Sequence, residues 1–333
     1  MLAQKMAALL LLVGCAVLFD FQTLIQLYIV LGQAHFGLTY FYQWQAGKVR
    51  FSLRGVGVYL ALLLSIFWLV WHYTTTMTLL IVAMFLVHYY LDEFKLNQEK
   101  LTVGNFLFVL PLFCCVILSL QFYQEASATF YTTKGLFLEE GPWFLGEVHH
   151  PQAWAYFKTL YGRDALHTHW PWLWGGLVLS FGLMVFRMAK GASIKLTELH
   201  ILAFTTAAFI WLWLGGIATI SAVNGFIILA HIIHWYTGMH TRLKIYAPQK
   251  LHAYWRHVAL ANILIVGGYA YVVFAPKALL AEETHLCYYS YKAFLAWSAL
   301  HILTTIRVDD YKTLFGKVGE RAALGLQAVT RFR

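Results

Sequence analysis

Between Val103 and Tyr123 the chain reads VGNFLFVLPLFCCVILSLQFY, without one charged side chain. As a helix, a run of that length and polarity crosses the ~30 Å hydrocarbon core of a bilayer. In water it would have to be buried on every side. Similar runs recur at about Phe21–Gln45, Val56–Tyr73, Met77–Phe94, Trp172–Met188, Leu199–Ile220, Ala222–Met239, Val258–Phe274 and Leu286–Ile306. Only 12% of the residues are charged, about half the roughly 25% of an ordinary soluble domain. The expected fold is therefore all-α: a polytopic membrane bundle of about nine or ten transmembrane helices. Whether residues 6–19 cross separately, or form the front of a longer first helix running through Asp20, is left open by the sequence.

The remainder divides simply. Residues 1–306 read as one transmembrane domain, interrupted by an aromatic extracytoplasmic segment at about 124–170 that holds a possible interfacial helix. Residues 307–333 form a basic tail. The net charge of +9 does not point to nucleic acid, because the Lys and Arg residues sit in short loops between spans. If the Lys48–Arg54 loop is cytoplasmic, alternation places eighteen of the 24 Lys and Arg residues on that side, as the positive-inside bias requires. A multi-pass protein of a bacterial inner membrane, with its C-terminus in the cytoplasm, is expected. The cysteines form no C-x-x-C pair and read as small buried hydrophobes.

Histidines carry what chemistry the sequence offers. The stretch SAVNGFIILAHIIHWYTGMH, Ser221 to His240, is apolar enough for a bilayer yet contains Asn224, His231 and His234. His231 and His234 share a helical face. In the expected orientation His35, His88, His200, His231, His234 and His301 come from five spans and share the cytoplasmic half of the bilayer. His88 and Asp92 are four residues apart and project from one face of their helix. Ionisable groups inside a membrane are costly and mark function, although any single such histidine more often bridges two helices.

Several imidazoles with a carboxylate and no thiolate are a ligand set for non-haem iron, and also for copper or zinc. His35, His88, Asp92, His231 and His234 are the expected ligands. His200, Glu198, His301, Glu93 and Asn224 are further ligands or supports of the same site. A second, extracytoplasmic metal site is drawn from Glu147, His149, His150, His167 and His169, in GEVHHPQ and DALHTHW.

The arrangement is similar in placement to membrane-bound fatty-acid desaturases and alkane hydroxylases, which gather histidines at the cytoplasmic side of a bundle. Their H-x-x-x-H and H-x-x-H-H boxes are missing here; HIIHWY stops at H-x-x-H. It also resembles the bacterial membrane-integral carotene-cleaving dioxygenases in scattering single histidines over several spans, with His35, His88 and the His231/His234 pair in comparable places.

The expected function is a histidine-ligated, non-haem metal oxidoreductase, most simply with iron, acting on a fatty-acyl or isoprenoid substrate. It would work with membrane lipids around it and an electron donor or other membrane subunits as partners. Two further readings stay open: a b-haem or quinone electron-transfer subunit, with haem b or copper as cofactor, and a histidine-lined transporter or structural subunit. No P-loop, dinucleotide-binding glycine pattern or Ser-His-Asp spacing occurs.

Overall fold

The computed structural model describes residues 10, 11, 14, 21–45, 53–133, 170–215, 220–274 and 291–330. Among them every long regular element is an α-helix and no strand occurs. The helices are α1 (Phe21–Gln45), α2 (Leu53–His72), α3 (Thr74–Leu96), α4 (Val103–Thr133) and α5 (Trp170–Ala189). They continue with α6 (Leu196–Gly215), α7 (Ile220–Tyr246), α8 (Leu251–Phe274), α9 (Tyr291–Thr305) and α10 (Val308–Thr330). Four contain stretches long and apolar enough to cross a membrane: Gly55–His72, Thr74–Leu96, Val103–Gln121 and Pro171–Ala189.

Two boundaries differ from the sequence reading. The three threonines of TTT, which fall between the expected runs Val56–Tyr73 and Met77–Phe94, are instead the first turn of α3. The break is confined to Tyr73, whose amide donates to Leu69 O and whose carbonyl accepts from Met77 N, so the hydrogen-bond ladder nearly closes over it. Helix α4 runs on through Pro111 and past Tyr123 to Thr133. The rest of the expected 124–170 segment, including Glu147, His149, His150, His167 and His169, lies outside the described residues. So does nearly all of 6–19.

The chain forms two compact units. The first contains Gln26–His88 and His231–Arg333; the second contains Tyr89–Ala230.

In the first unit α1 and α9 are central. From Tyr28 to Thr39 nearly every side chain of α1 is buried, and on α9 the same holds from Lys292 to Ile302. The two helices approach closely at Gly32. A Cβ there would lie 2.6 Å from Phe294 Cε2, so only glycine allows the ring its place. Helix α9 also packs on α2 and α10. Helices α2 and α8 turn apolar faces outward: Leu64 is 65% exposed, Trp68 54%, Ile263 67% and Leu264 64%. Contiguous exposed hydrophobics of this size mark a surface made for something other than water.

Several hydroxyls inside this unit bond within their own helix. Thr39 donates to His35 O, Ser298 to Phe294 O, and Thr305 to His301 O, which quiets a polar group on an apolar helix without a partner elsewhere. Helix α10 is broken at Gly316, whose φ of 60° and ψ of −145° no helix contains. A residue with a Cβ rarely adopts that conformation.

In the second unit α4 packs against α5 and α6. Tyr90 gathers Phe94, Phe106 and Phe113 around it at ring-centre distances of 4.9 to 6.1 Å. The start of α6 is held by two carboxylates. Glu99 accepts from the amides of Leu196 and Thr197, at 2.8 and 3.1 Å. Glu198 reaches back to the amide of Lys195 at 2.7 Å, half of a capping box.

Candidate metal centre

Four histidines of the first unit meet in its core, each from a different helix: His35 on α1, His88 on α3, His231 on α7 and His301 on α9. All are buried, from 1% exposure at His35 to 7% at His88. Their ring centres form a closed circuit. His35 lies 5.3 Å from His231, His231 5.3 Å from His88, His88 5.2 Å from His301, and His301 5.0 Å from His35. Ligand nitrogens of His88 and His231 come within 4.8 Å of each other.

Imidazoles that share one ion through bonds of ~2.0–2.1 Å hold their ring centres roughly 4.5–5.5 Å apart. The circuit has that size. Neither ring nitrogen of His35 has a hydrogen-bond partner among the described residues. A buried imidazole left so costs about 1–3 kcal/mol, unless something else binds it. A metal ion is one group that could take a nitrogen lone pair there.

The circuit is held by aromatic packing. Phe36 stacks on His301 at 4.8 Å and 30°, and Phe294 stacks on Phe36 at 5.7 Å. Phe294 is the ring that Gly32 admits, so the close approach of α1 and α9 is transmitted through Phe36 to His301. Trp235 meets His35 edge-on at 4.7 Å, and Phe85 meets His231 at 5.7 Å. These rings pack against the histidines, none of which is more than 7% exposed.

The other expected site residues have different places. His234, one turn after His231 on α7, is buried at 3% exposure. The fourth corner of the circuit is His301, which the sequence placed among the further ligands or supports. Asp92 follows His88 by one turn on α3. The backbone of Asn224 lies within α7, while its side chain is outside the description.

Glu93, Glu198 and His200 belong to the second unit. Glu198, 1% exposed, is fully engaged: besides the Lys195 amide it accepts from the Arg187 guanidinium and from Asn105 Nδ2, the latter at 2.8 Å. Three donors leave it a structural role. His200 Nε2 lies 3.2 Å from the Tyr89 hydroxyl and 4.0 Å from Glu93 Oε2, a buried polar cluster within the second unit. Sequence reasoning missed Phe36, Trp235 and Gly32. The i, i+1 neighbour of His35 and the i+4 neighbour of His231 carried the signal, but aromatics are too common here to stand out.

No family model, no curated protein and no solved structure matches the chain.

Proposed function

We propose that the protein is a membrane-embedded, histidine-ligated metal oxidoreductase with a non-haem centre at His35, His88, His231 and His301. The observation that carries this reading is the closed circuit of four buried imidazoles, of which His88 and His231 bring ligand atoms within 4.8 Å of each other, while neither His35 nitrogen has a hydrogen-bond partner among the described residues. Nitrogen ligands without thiolate suit iron, copper or zinc. A redox metal is favoured because an ion shielded by aromatic rings is dry and far from the hydrolytic water that a catalytic zinc needs. Iron bound there would supply one-electron chemistry toward dioxygen. Asp92, a turn beyond His88, is the carboxylate best placed along its helix to offset the ion's charge.

The chain's own residues then do three things. The imidazoles bind as neutral ligands, the Phe36, Phe85 and Trp235 rings keep water away, and the apolar surround selects a greasy substrate, a fatty-acyl or isoprenoid chain arriving from the bilayer. The concentration of Lys and Arg in alternate loops orients the bundle with its C-terminus and the histidine circuit toward the cytoplasmic side of a bacterial inner membrane.

A b-type haem is less well served. Its two axial imidazoles stand on opposite faces of a porphyrin, whereas these four rings meet one another edge to face and leave no slot for a macrocycle.

Elemental analysis and an optical spectrum of the protein purified in mild detergent test the reading. One iron per chain without a Soret band is the expected result. A Soret band transfers the protein to haem electron transfer. Neither metal nor haem, after expression with iron and copper supplied, reduces the circuit to helix packing.

A further inference from the structure

A file of aromatic residues, linked by ring contacts and by one hydrogen bond to a backbone carbonyl, leads from His35 to the surface of the first unit. The Trp235 ring stands 4.7 Å from His35, and the Tyr236 ring 5.5 Å from Trp235. The Tyr254 hydroxyl donates to Tyr236 O at 3.0 Å. The Tyr254 ring lies 5.3 Å from Trp255, which is 40% exposed. Tyr254 belongs to a small core with Leu38 and Val258, against which Trp235 and Tyr236 pack, so the inner part of the file is fixed by packing.

It emerges in a distinctive place. From His240 to His257 the sequence is HTRLKIYAPQKLHAYWRH, with Arg242, Lys244, Lys250 and Arg256 and not one Asp or Glu. Lys244, Lys250 and Arg256 are exposed, as is Trp255 between them. Trp255 Nε1 is bonded at 2.9 Å to His240 Nδ1, which fixes the indole at the rim.

We propose that Trp235, Tyr236, Tyr254 and Trp255 form a one-electron path into the four-histidine centre, and that the basic turn around Trp255 docks an acidic electron-carrier protein. This rests on the metal reading above. The bookkeeping is one electron per passage: the carrier is oxidised by one unit and the oxidised metal is reduced by one. The aromatic groups serve as bridges, so no bond forms or breaks and both phenols keep their protons. Charge complementarity selects the occupant, because a surface with cations only steers an acidic partner to the exposed indole.

The test uses iron-loaded protein in mild detergent and a prereduced acidic [2Fe–2S] ferredoxin, mixed under argon, with ferredoxin oxidation followed by stopped flow. Trp255→Leu, at an exposed site that tolerates it, slows the reaction severalfold while iron content stays at the wild-type level. Trp68→Leu, an exposed indole on α2 away from the file, leaves the rate unchanged. Lys250→Glu with Arg256→Glu slows it about tenfold, as does raised salt. Wild-type rates in Trp255→Leu with full iron overturn the path and leave the metal reading standing; a wild-type protein that holds no iron overturns both. A rate indifferent to charge reversal and salt overturns the docking assignment and gives the basic turn to anionic lipid headgroups.

Discussion

His35 and His301 meet edge to face with ring centres 5.0 Å apart, although 265 residues separate them along the chain. Their approach depends on a third position. Gly32 lies one turn before His35, and Phe294 lies two turns before His301. The contact of those two residues sets the distance between the helices that carry the imidazoles.

Gly32→Ala therefore acts at both ends of this relationship. The new methyl overlaps Phe294, which is itself pinned by Tyr28 at 5.4 Å. We expect a loss of about 1–3 kcal/mol and a lower metal occupancy, measured by thermal unfolding in detergent and by elemental analysis. Gly37→Ala, where a Cβ meets nothing within 4 Å, is the control and changes neither.

His35→Leu separates binding from folding. It removes an imidazole whose nitrogens have no hydrogen-bond partner among the described residues and fills the space with apolar volume. Metal-free protein should keep its stability or gain ~1–2 kcal/mol, while metal content drops to background. A metal-free variant that unfolds far below the metal-free wild type shows His35 to be a packing residue instead.

Chelation gives an independent measure. Metal bound only to the folded state stabilises it by about 2.7 kcal/mol when free metal is a hundred times the dissociation constant. Stripping the wild type should lower its Tm, and restoring iron should raise it again. The Tm of His35→Leu and of His301→Ala should respond to neither treatment.

Glu198→Gln tests a residue that the sequence offered as a ligand and the structure engages elsewhere. It leaves the Arg187 guanidinium without its carboxylate and weakens the start of α6. A cost of about 2–3 kcal/mol is expected, with the metal content of the surviving folded protein unchanged. Loss of metal without loss of stability assigns Glu198 to the centre after all.

Much of this was legible in the residues, and the reasons for the rest are physical. Apolar runs identify helices such as α4 because a span must satisfy its backbone internally whatever surrounds it. Ligand candidates are legible because histidine is expensive in that setting. Which histidines meet is another matter. The i, i+3 spacing of His231 and His234 shows that both leave α7 on one side, but it does not say which helix lies opposite. His301, with no second histidine near it in sequence, carried no local mark of its place in the circuit. Glu198 did carry one: a carboxylate at the third position of a helix after Lys195 is a capping signal, and its proximity to His200 obscured it. The TTT segment misled for a similar reason, since threonine is a poor helix former in water and nevertheless starts α3.

The hydroxyls of Thr39, Ser298 and Thr305 bond to carbonyls of their own helices, and this bears on how such a sequence drifts. A side chain that speaks only to its own backbone carries little information about its neighbours. Exchanges among threonine, serine, alanine and valine at those sites should pass nearly unnoticed by selection. In the first unit, much of the specification of which helix lies beside which rests on ring edges and on the missing methyl group at Gly32. Descendants of this chain would thus diverge widely in their polar residues while their aromatic skeleton stayed put.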